Sequence, residues 1–117
     1  MRSLLVGVAL LIGAPGVVTA QESRVVEGCL ATVSAFAGGP PDQVHSIEDF
    51  SELEPPRARV RFNIGSRSSR ATCTFENRES PLVLTEACFE ITCFRPDDKY
   101  TRLRFDELKL LLEQAGY

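Results

Sequence analysis

The sequence predicts a small α+β domain: an antiparallel sheet of three to five strands, with an N-terminal and a C-terminal amphipathic helix packed on one face and disulfide cross-links. Three observations predict it. Residues 57–64 alternate apolar and charged side chains, which is typical of a strand with one buried face. Residues 23–37 and 106–116 repeat apolar side chains at helical spacing. Four cysteines follow an apolar leader, which indicates an oxidising compartment.

The first 20 residues have the form of a cleaved secretory signal peptide. Arg2 precedes an apolar run, Pro15 and Gly16 break it, and small residues end at Ala20. An uncleaved membrane anchor is the alternative, but the apolar run is shorter and more broken than the roughly 20 apolar residues that a span needs. Cleavage would leave residues 21–117, a length that predicts a single small globular domain.

The first helix is predicted over residues 23–37. Ser23 is its expected N-cap, and the Gly-Gly-Pro-Pro run that begins at Gly38 ends it. Residues 42–54 are ambiguous because their apolar side chains recur every three residues. A short helix and an irregular edge strand both fit that spacing.

The remaining elements are predicted from alternation and turn signals. Residues 57–64 and 70–76 are expected to pair as an antiparallel hairpin, with residues 65–69 as its turn. Residues 87–95 are predicted to form one further strand, and after a turn that begins at Pro96, residues 100–105 can pair back as another. The last helix is expected to start at an Asp106 N-cap and end at a Gly116 C-cap. Its predicted apolar face carries Leu108, Leu111, Leu112 and Ala115.

The charge balance limits the classes of partner. The chain has 13 Lys and Arg residues against 16 Asp and Glu residues, a net charge of −3 that becomes −4 if Arg2 leaves with the leader. A mildly acidic chain is not built to coat nucleic acid or anionic lipid through bulk charge. We therefore expect no nucleic-acid partner and no stable membrane insertion after signal cleavage. The strong preference for Arg over Lys is typical of a GC-rich bacterial genome, which favours a bacterial envelope protein.

The four cysteines, Cys29, Cys73, Cys88 and Cys93, are expected to form structural disulfides. No C-x-x-C spacing occurs, which disfavours both a thioredoxin-type dithiol and a zinc ribbon. Of the three pairings, Cys88–Cys93 is the least expected, because residues five apart in one strand point to opposite faces. The other two pairings stay open. Cys29, Cys73 and Cys93 are expected to face the core, with Cys29 tying the first helix to the sheet.

The sequence offers little material for catalysis. His45 is the only histidine, so a Ser-His-Asp or Cys-His site would have to be built on it, and we expect a solvated loop residue instead. The acidic residues of 48–54 and of 97–98 lie in polar stretches of a chain that lacks tryptophan, which disfavours a glycosidase cleft. Their spacing does not match a calcium loop. We expect no catalytic residue, no metal and no cofactor.

The arginines are the candidate partner-contact residues. Arg57, Arg59 and Arg61 share one face of one strand, and Arg70 is expected on the neighbouring strand. Guanidinium groups at this spacing can clamp a carboxylate or phosphate by bidentate hydrogen bonds. The ordinary alternative is that nearby acidic residues (Glu76, Glu90 and those of 48–54) form exposed ion pairs with them, each worth about 0–1 kcal/mol.

Two functional hypotheses follow. The first is a non-enzymatic periplasmic or secreted domain that acts as an interaction, adaptor or inhibitor module, with another envelope or secreted protein as its partner. The second is a cysteine-dependent redox or catalytic accessory protein of the cell envelope, which would use a cysteine left out of a bridge. Alkylation of free thiols separates them.

Overall fold

The computed structural model describes residues 23–117, so the signal-peptide prediction for residues 1–20 lies outside the described residues. These residues form two helices on a five-stranded antiparallel sheet, which confirms the predicted α+β fold. The strands lie side by side in chain order, as a meander. The elements are α1 (Arg24–Ala37), β1 (Gln43–Phe50), β2 (Arg57–Ile64), β3 (Arg67–Phe75), β4 (Leu84–Phe89), β5 (Thr92–Phe94) and α2 (Arg102–Gln114).

Helix α1 begins and ends where its caps predict. The Ser23 hydroxyl accepts a hydrogen bond from the Val26 N–H at 3.1 Å, and Gly38 ends the helix in the left-handed conformation at φ 82°. The helix lies close to the sheet at Gly28, where a Cβ atom would stand 2.5 Å from Leu82 Cδ1 and 3.2 Å from Phe75 Cζ. Glycine is therefore the residue that allows this close approach.

A bulge explains the three-residue spacing in residues 42–54. The segment forms edge strand β1, and the register with β2 shifts between Val44 and Ser46. The extra residue, His45, places Val44 and Ile47 on the same face although they are three apart. The same offset turns Phe50 to the opposite face, where it pairs with Arg57. The edge-strand interpretation is therefore the correct one.

Strands β2 and β3 form the predicted hairpin and divide the sheet into two faces. Ala58, Val60 and Phe62 of β2 are buried beneath α1, whereas its alternate positions are half-buried or exposed, as is Ile64 at its end. The turn is shorter than predicted, because β3 already begins at Arg67. Gly65 supports the turn at φ 62°. The core contains Val25, Val33, Phe62, Phe75, Leu84, Phe105, Leu108 and Leu112.

The prediction of one strand over residues 87–95 is wrong. Strand β4 ends at Phe89 and β5 begins at Thr92, so the chain reverses at Glu90 and Ile91. Glu90 has φ 56°, a conformation more often taken by Gly, Asn or Asp. Neither turn residue is a usual turn former, so the alternating pattern ran through the reversal without a visible break.

The prediction of a strand over residues 100–105 is also wrong. Helix α2 starts at Arg102 with Thr101 as its N-cap, not at Asp106, and its C-cap is Ala115, not Gly116. The Asp98 carbonyl accepts hydrogen bonds from the Thr101 and Arg102 N–H groups, so the turn leads directly into the helix. The buried face of α2 consists of Phe105, Leu108 and Leu112, whereas the predicted Leu111 and Ala115 are exposed.

Candidate functional site on the open face of the sheet

The sheet face that the helices leave uncovered is called the open face here. The strand registers place Arg57, Arg59 and Arg61 of β2 beside Thr74, Thr72 and Arg70 of β3, in that order. Glu86 and Cys88 of β4 extend the first two rows, and Phe50 and Glu48 of β1 flank them on the other side. The four arginines singled out from the sequence therefore share one surface.

Among the described residues, one of these four arginines forms an ion pair. Arg59 contacts Glu48, with its Nη1 3.4 Å from Glu48 Oε1. Within residues 23–117, Arg57, Arg61 and Arg70 have no carboxylate within salt-bridge distance; the five ion pairs there are Arg24–Glu27, Arg59–Glu48, Arg78–Glu54, Arg95–Glu86 and Arg104–Glu107. Within the part of the chain that the structure describes, a neighbouring acidic residue therefore neutralises Arg59 but none of the other three arginines.

The acidic residues expected to neutralise the arginines are engaged elsewhere. Glu54 pairs with Arg78, and Glu86 pairs with Arg95. Glu90 does approach Arg70, but its Oε2 accepts a hydrogen bond from the Arg70 backbone N–H at 2.7 Å and not from the guanidinium. Three cationic side chains of the open face are thus left without a negative partner among the described residues.

One end of the open face forms a cationic cavity. Arg61 and Arg70 lie directly opposite each other on β2 and β3. They line a cavity of about 220 Å³ together with Ser68, Ser69 and Glu90. The sequence does not indicate Ser68 as a site residue, because residues 65–69 are predicted to form a turn.

The other end of the open face is amphipathic. A cavity of about 330 Å³ is lined by Phe50, Leu53, Arg57, Arg59, Thr72, Thr74 and Glu86. The Arg59 guanidinium carbon lies 5.9 Å from the centre of the Phe50 ring. Its Nε atom is buried and has no hydrogen-bond acceptor within the described part of the chain. Phe50 and Leu53 were not predicted here, since only the bulge in β1 turns Phe50 to this face.

Both disulfides are formed, and their connectivity corrects one prediction. Cys29 pairs with Cys73 in the core with a Cα–Cα distance of 5.4 Å, so Cys29 ties α1 to β3 as expected. Cys88 pairs with Cys93, the pairing that was least expected. The turn at Glu90 and Ile91 places these two cysteines opposite each other in register. Cys93 therefore lies half-buried on the open face and not in the core.

The Cys88–Cys93 bridge lies next to a carboxylate. Glu86 offers an oxygen within 4.8 Å of both sulfur atoms, a grouping that superficially resembles a metal site. The sulfur atoms are bonded to each other, however, so they present no thiolate to an ion.

The remaining candidates from the sequence lie at the edge of the sheet. His45 is exposed in the bulge of β1. Asp49, further along the same strand, has a lowered pKa: partial burial raises it, but hydrogen bonds from the Ser51 side chain and backbone and from Ser23 outweigh that effect. The Ser51 N–H donates to Asp49 Oδ1 at 2.9 Å, an arrangement that closes the strand end and joins no catalytic group.

Comparison with protein-family models, curated proteins and solved structures found no match to this chain. In residues 23–117, neither α1 nor α2 has the length and apolar character required to cross a bilayer.

Proposed function

We propose that the protein is a non-enzymatic, exported interaction module, and that the open face binds an acidic segment of another envelope or secreted protein. The observation that carries this proposal is the set of three arginines, Arg57, Arg61 and Arg70, that share the face and lack a carboxylate partner among residues 23–117. Arg57 is half-buried, and Arg61 and Arg70 are exposed, so a carboxylate of a partner can reach them and form charge-assisted hydrogen bonds.

The positive charge of these three arginines is concentrated on the open face. The chain as a whole carries a net charge of −3, so attraction of an acidic partner depends on this face and not on bulk charge. Such local complementarity mainly steers the partner and sets its orientation. It also predicts that binding weakens as the salt concentration rises.

The apolar end of the open face adds a second element of recognition. Phe50 and Leu53 line the same cavity as Arg57 and the hydroxyls of Thr72 and Thr74. A bound segment would therefore place an apolar side chain near Phe50 and its carboxylates toward Arg61 and Arg70. Protein contact surfaces commonly combine an apolar anchor with a charged periphery.

The compartment proposal rests on the leader and on the disulfides. Two disulfides are typical of an oxidising environment such as the periplasm or the extracellular space. The apolar leader of residues 1–20 would direct the chain there. Intact-mass analysis of the protein recovered after export tests this: loss of residues 1–20 and a deficit of four hydrogens would support it. A retained leader or reduced thiols would contradict it.

The cysteine-dependent alternative has less support. It requires a cysteine outside a bridge, whereas all four cysteines are paired. No observation on the described residues favours this function over binding.

The binding proposal is tested with a fluorescently labelled hexaglutamate peptide as probe. We expect the exported protein to bind it in low salt, and Arg57→Glu to weaken binding by about tenfold or more, because one attraction becomes a repulsion. Arg102→Glu is the matched control. Arg102 is exposed on α2, away from the open face, and its substitution changes the net charge by the same amount as Arg57→Glu. Equal losses in both variants, or no measurable binding by the wild type, would contradict the proposal.

A further inference from the structure

We infer that Arg61, Arg70 and Ser68 form a pocket for a single oxyanion, namely a carboxylate or a phosphate-type group. The pocket lies at the cationic end of the open face, so the inference rests on the proposed contact face and specifies the group that this face recognises. Three observations support the pocket: the register of β2 and β3, the contacts of Glu90, and the size and polarity of the cavity that Arg61 and Arg70 line.

The register creates an unfavourable arrangement that an anion would relieve. Arg61 on β2 is the direct cross-strand partner of Arg70 on β3. Side chains in such positions lie close to each other, and like charges placed there repel. Within residues 23–117 neither guanidinium has a carboxylate at salt-bridge distance. Two converging cationic groups without a counter-charge are the arrangement that binds an oxyanion in a bidentate manner.

The acidic residue that lines the cavity is held in another contact. Glu90 Oε2 accepts a hydrogen bond from the Arg70 backbone N–H at 2.7 Å, and the Glu90 N–H donates to the Arg70 carbonyl at 2.9 Å. Glu90 therefore extends the pairing of β3 and β4 by one residue. Its carboxylate lies at the wall of the cavity and leaves both guanidinium groups available. One negative and two positive charges leave a net attraction for one anion.

The cavity has the size and polarity that such a group requires. Its volume is about 220 Å³, which exceeds that of a phosphate or a carboxylate group, and its lining is predominantly polar. Ser68 and Ser69 bring hydroxyl groups that can donate to an oxyanion beside the guanidinium groups. The same chemistry would recognise a free ion and a carboxylate or phosphate carried by a macromolecule.

Titration of the full exported protein with inorganic phosphate, and separately with acetate, tests the pocket. Chloride keeps the ionic strength constant, and amide NMR shifts provide the readout. We expect saturable shifts confined to Arg61 and to residues 68–70. Arg61→Gln and Arg70→Gln should each raise the dissociation constant by about tenfold or more. Arg102→Gln is the matched control, because Arg102 is exposed on α2, and it should leave binding unchanged.

The outcomes separate this inference from the proposed function. Saturable binding of either small anion that depends on Arg61 and Arg70 supports the pocket, even if hexaglutamate does not bind. Shifts that grow linearly and include Arg102 indicate general charge screening and overturn it. Binding of hexaglutamate without saturable binding of phosphate or acetate also overturns the pocket while the contact face stands. A phosphate-induced rise in melting temperature that disappears in Arg61→Gln provides a second readout.

Discussion

Arg61 and Arg70 face each other across two neighbouring antiparallel strands without a carboxylate partner in the described part of the chain. On the same strand, Arg59 lies opposite Glu48 and pairs with it. Two positions of β2 that are equivalent in face and residue type therefore differ in their electrostatic environment. This difference gives a direct prediction for stability.

Removing one charge of the Arg61–Arg70 pair should stabilise the fold. We expect Arg61→Gln to raise the free energy of unfolding by about 0.2–1 kcal/mol, because like charges directly opposite each other are destabilising. Arg59→Gln is the control, and it should be neutral or destabilising by up to about 1 kcal/mol since it loses the Glu48 pair. Urea denaturation at low salt measures both. A loss of stability in Arg61→Gln that equals the loss in Arg59→Gln would contradict the repulsion.

The two disulfides should contribute unequally to stability. Cys29–Cys73 joins residues 44 apart, and Cys88–Cys93 joins residues only 5 apart. In the chain-entropy model the longer loop contributes about 4 kcal/mol and the shorter about 2 kcal/mol. Replacing each pair by alanine and comparing urea midpoints tests this order. Equal losses, or a larger loss from the Cys88–Cys93 pair, would mean that loop entropy does not determine the difference.

Acid should remove the contribution of Asp49. Because its pKa is lowered on folding, the stabilisation is complete above the usual value of 3.8 and is lost as the pH falls through the lower folded value. We therefore expect the stability difference between wild type and Asp49→Asn to shrink below about pH 4. The effect should be small because Asp49 is exposed. In a protein that already carries Ser51→Ala, the Asp49→Asn substitution should change stability less. A stability difference between wild type and Asp49→Asn that does not vary with pH would contradict a role for the Asp49 charge.

The sequence was sufficient for the elements whose signals are local. The Ser23 cap and Gly38 define α1, and strict alternation defines β2 and its exposed arginines. The face shared by Arg57, Arg59, Arg61 and Arg70 followed from the period of two in neighbouring strands. What the sequence could not provide was the pairing of each charge, because that depends on the register of strands that are distant in the chain.

The errors have specific physical causes. Glu90 and Ile91 form a reversal without Gly, Pro or Asn, so the Cys88–Cys93 pairing looked unfavourable on a continuous strand. The bulge at His45 is a tertiary feature of pairing with β2, and it alone brings Phe50 to the open face. A sequence pattern assumes regular elements, and both departures from regularity occur at the candidate site.

The measurement that tests the contact face most directly is amide NMR mapping of the exported protein with unlabelled hexaglutamate in low salt. The account predicts shifts clustered at Arg57, Arg61, Arg70, Thr72 and Thr74, with α2 unaffected. The shifts should diminish when Arg57, Arg61 and Arg70 are changed to glutamate together, and they should persist in Arg102→Glu. Shifts spread over α1 and α2, or undiminished in the triple variant, would contradict a contact surface on the open face.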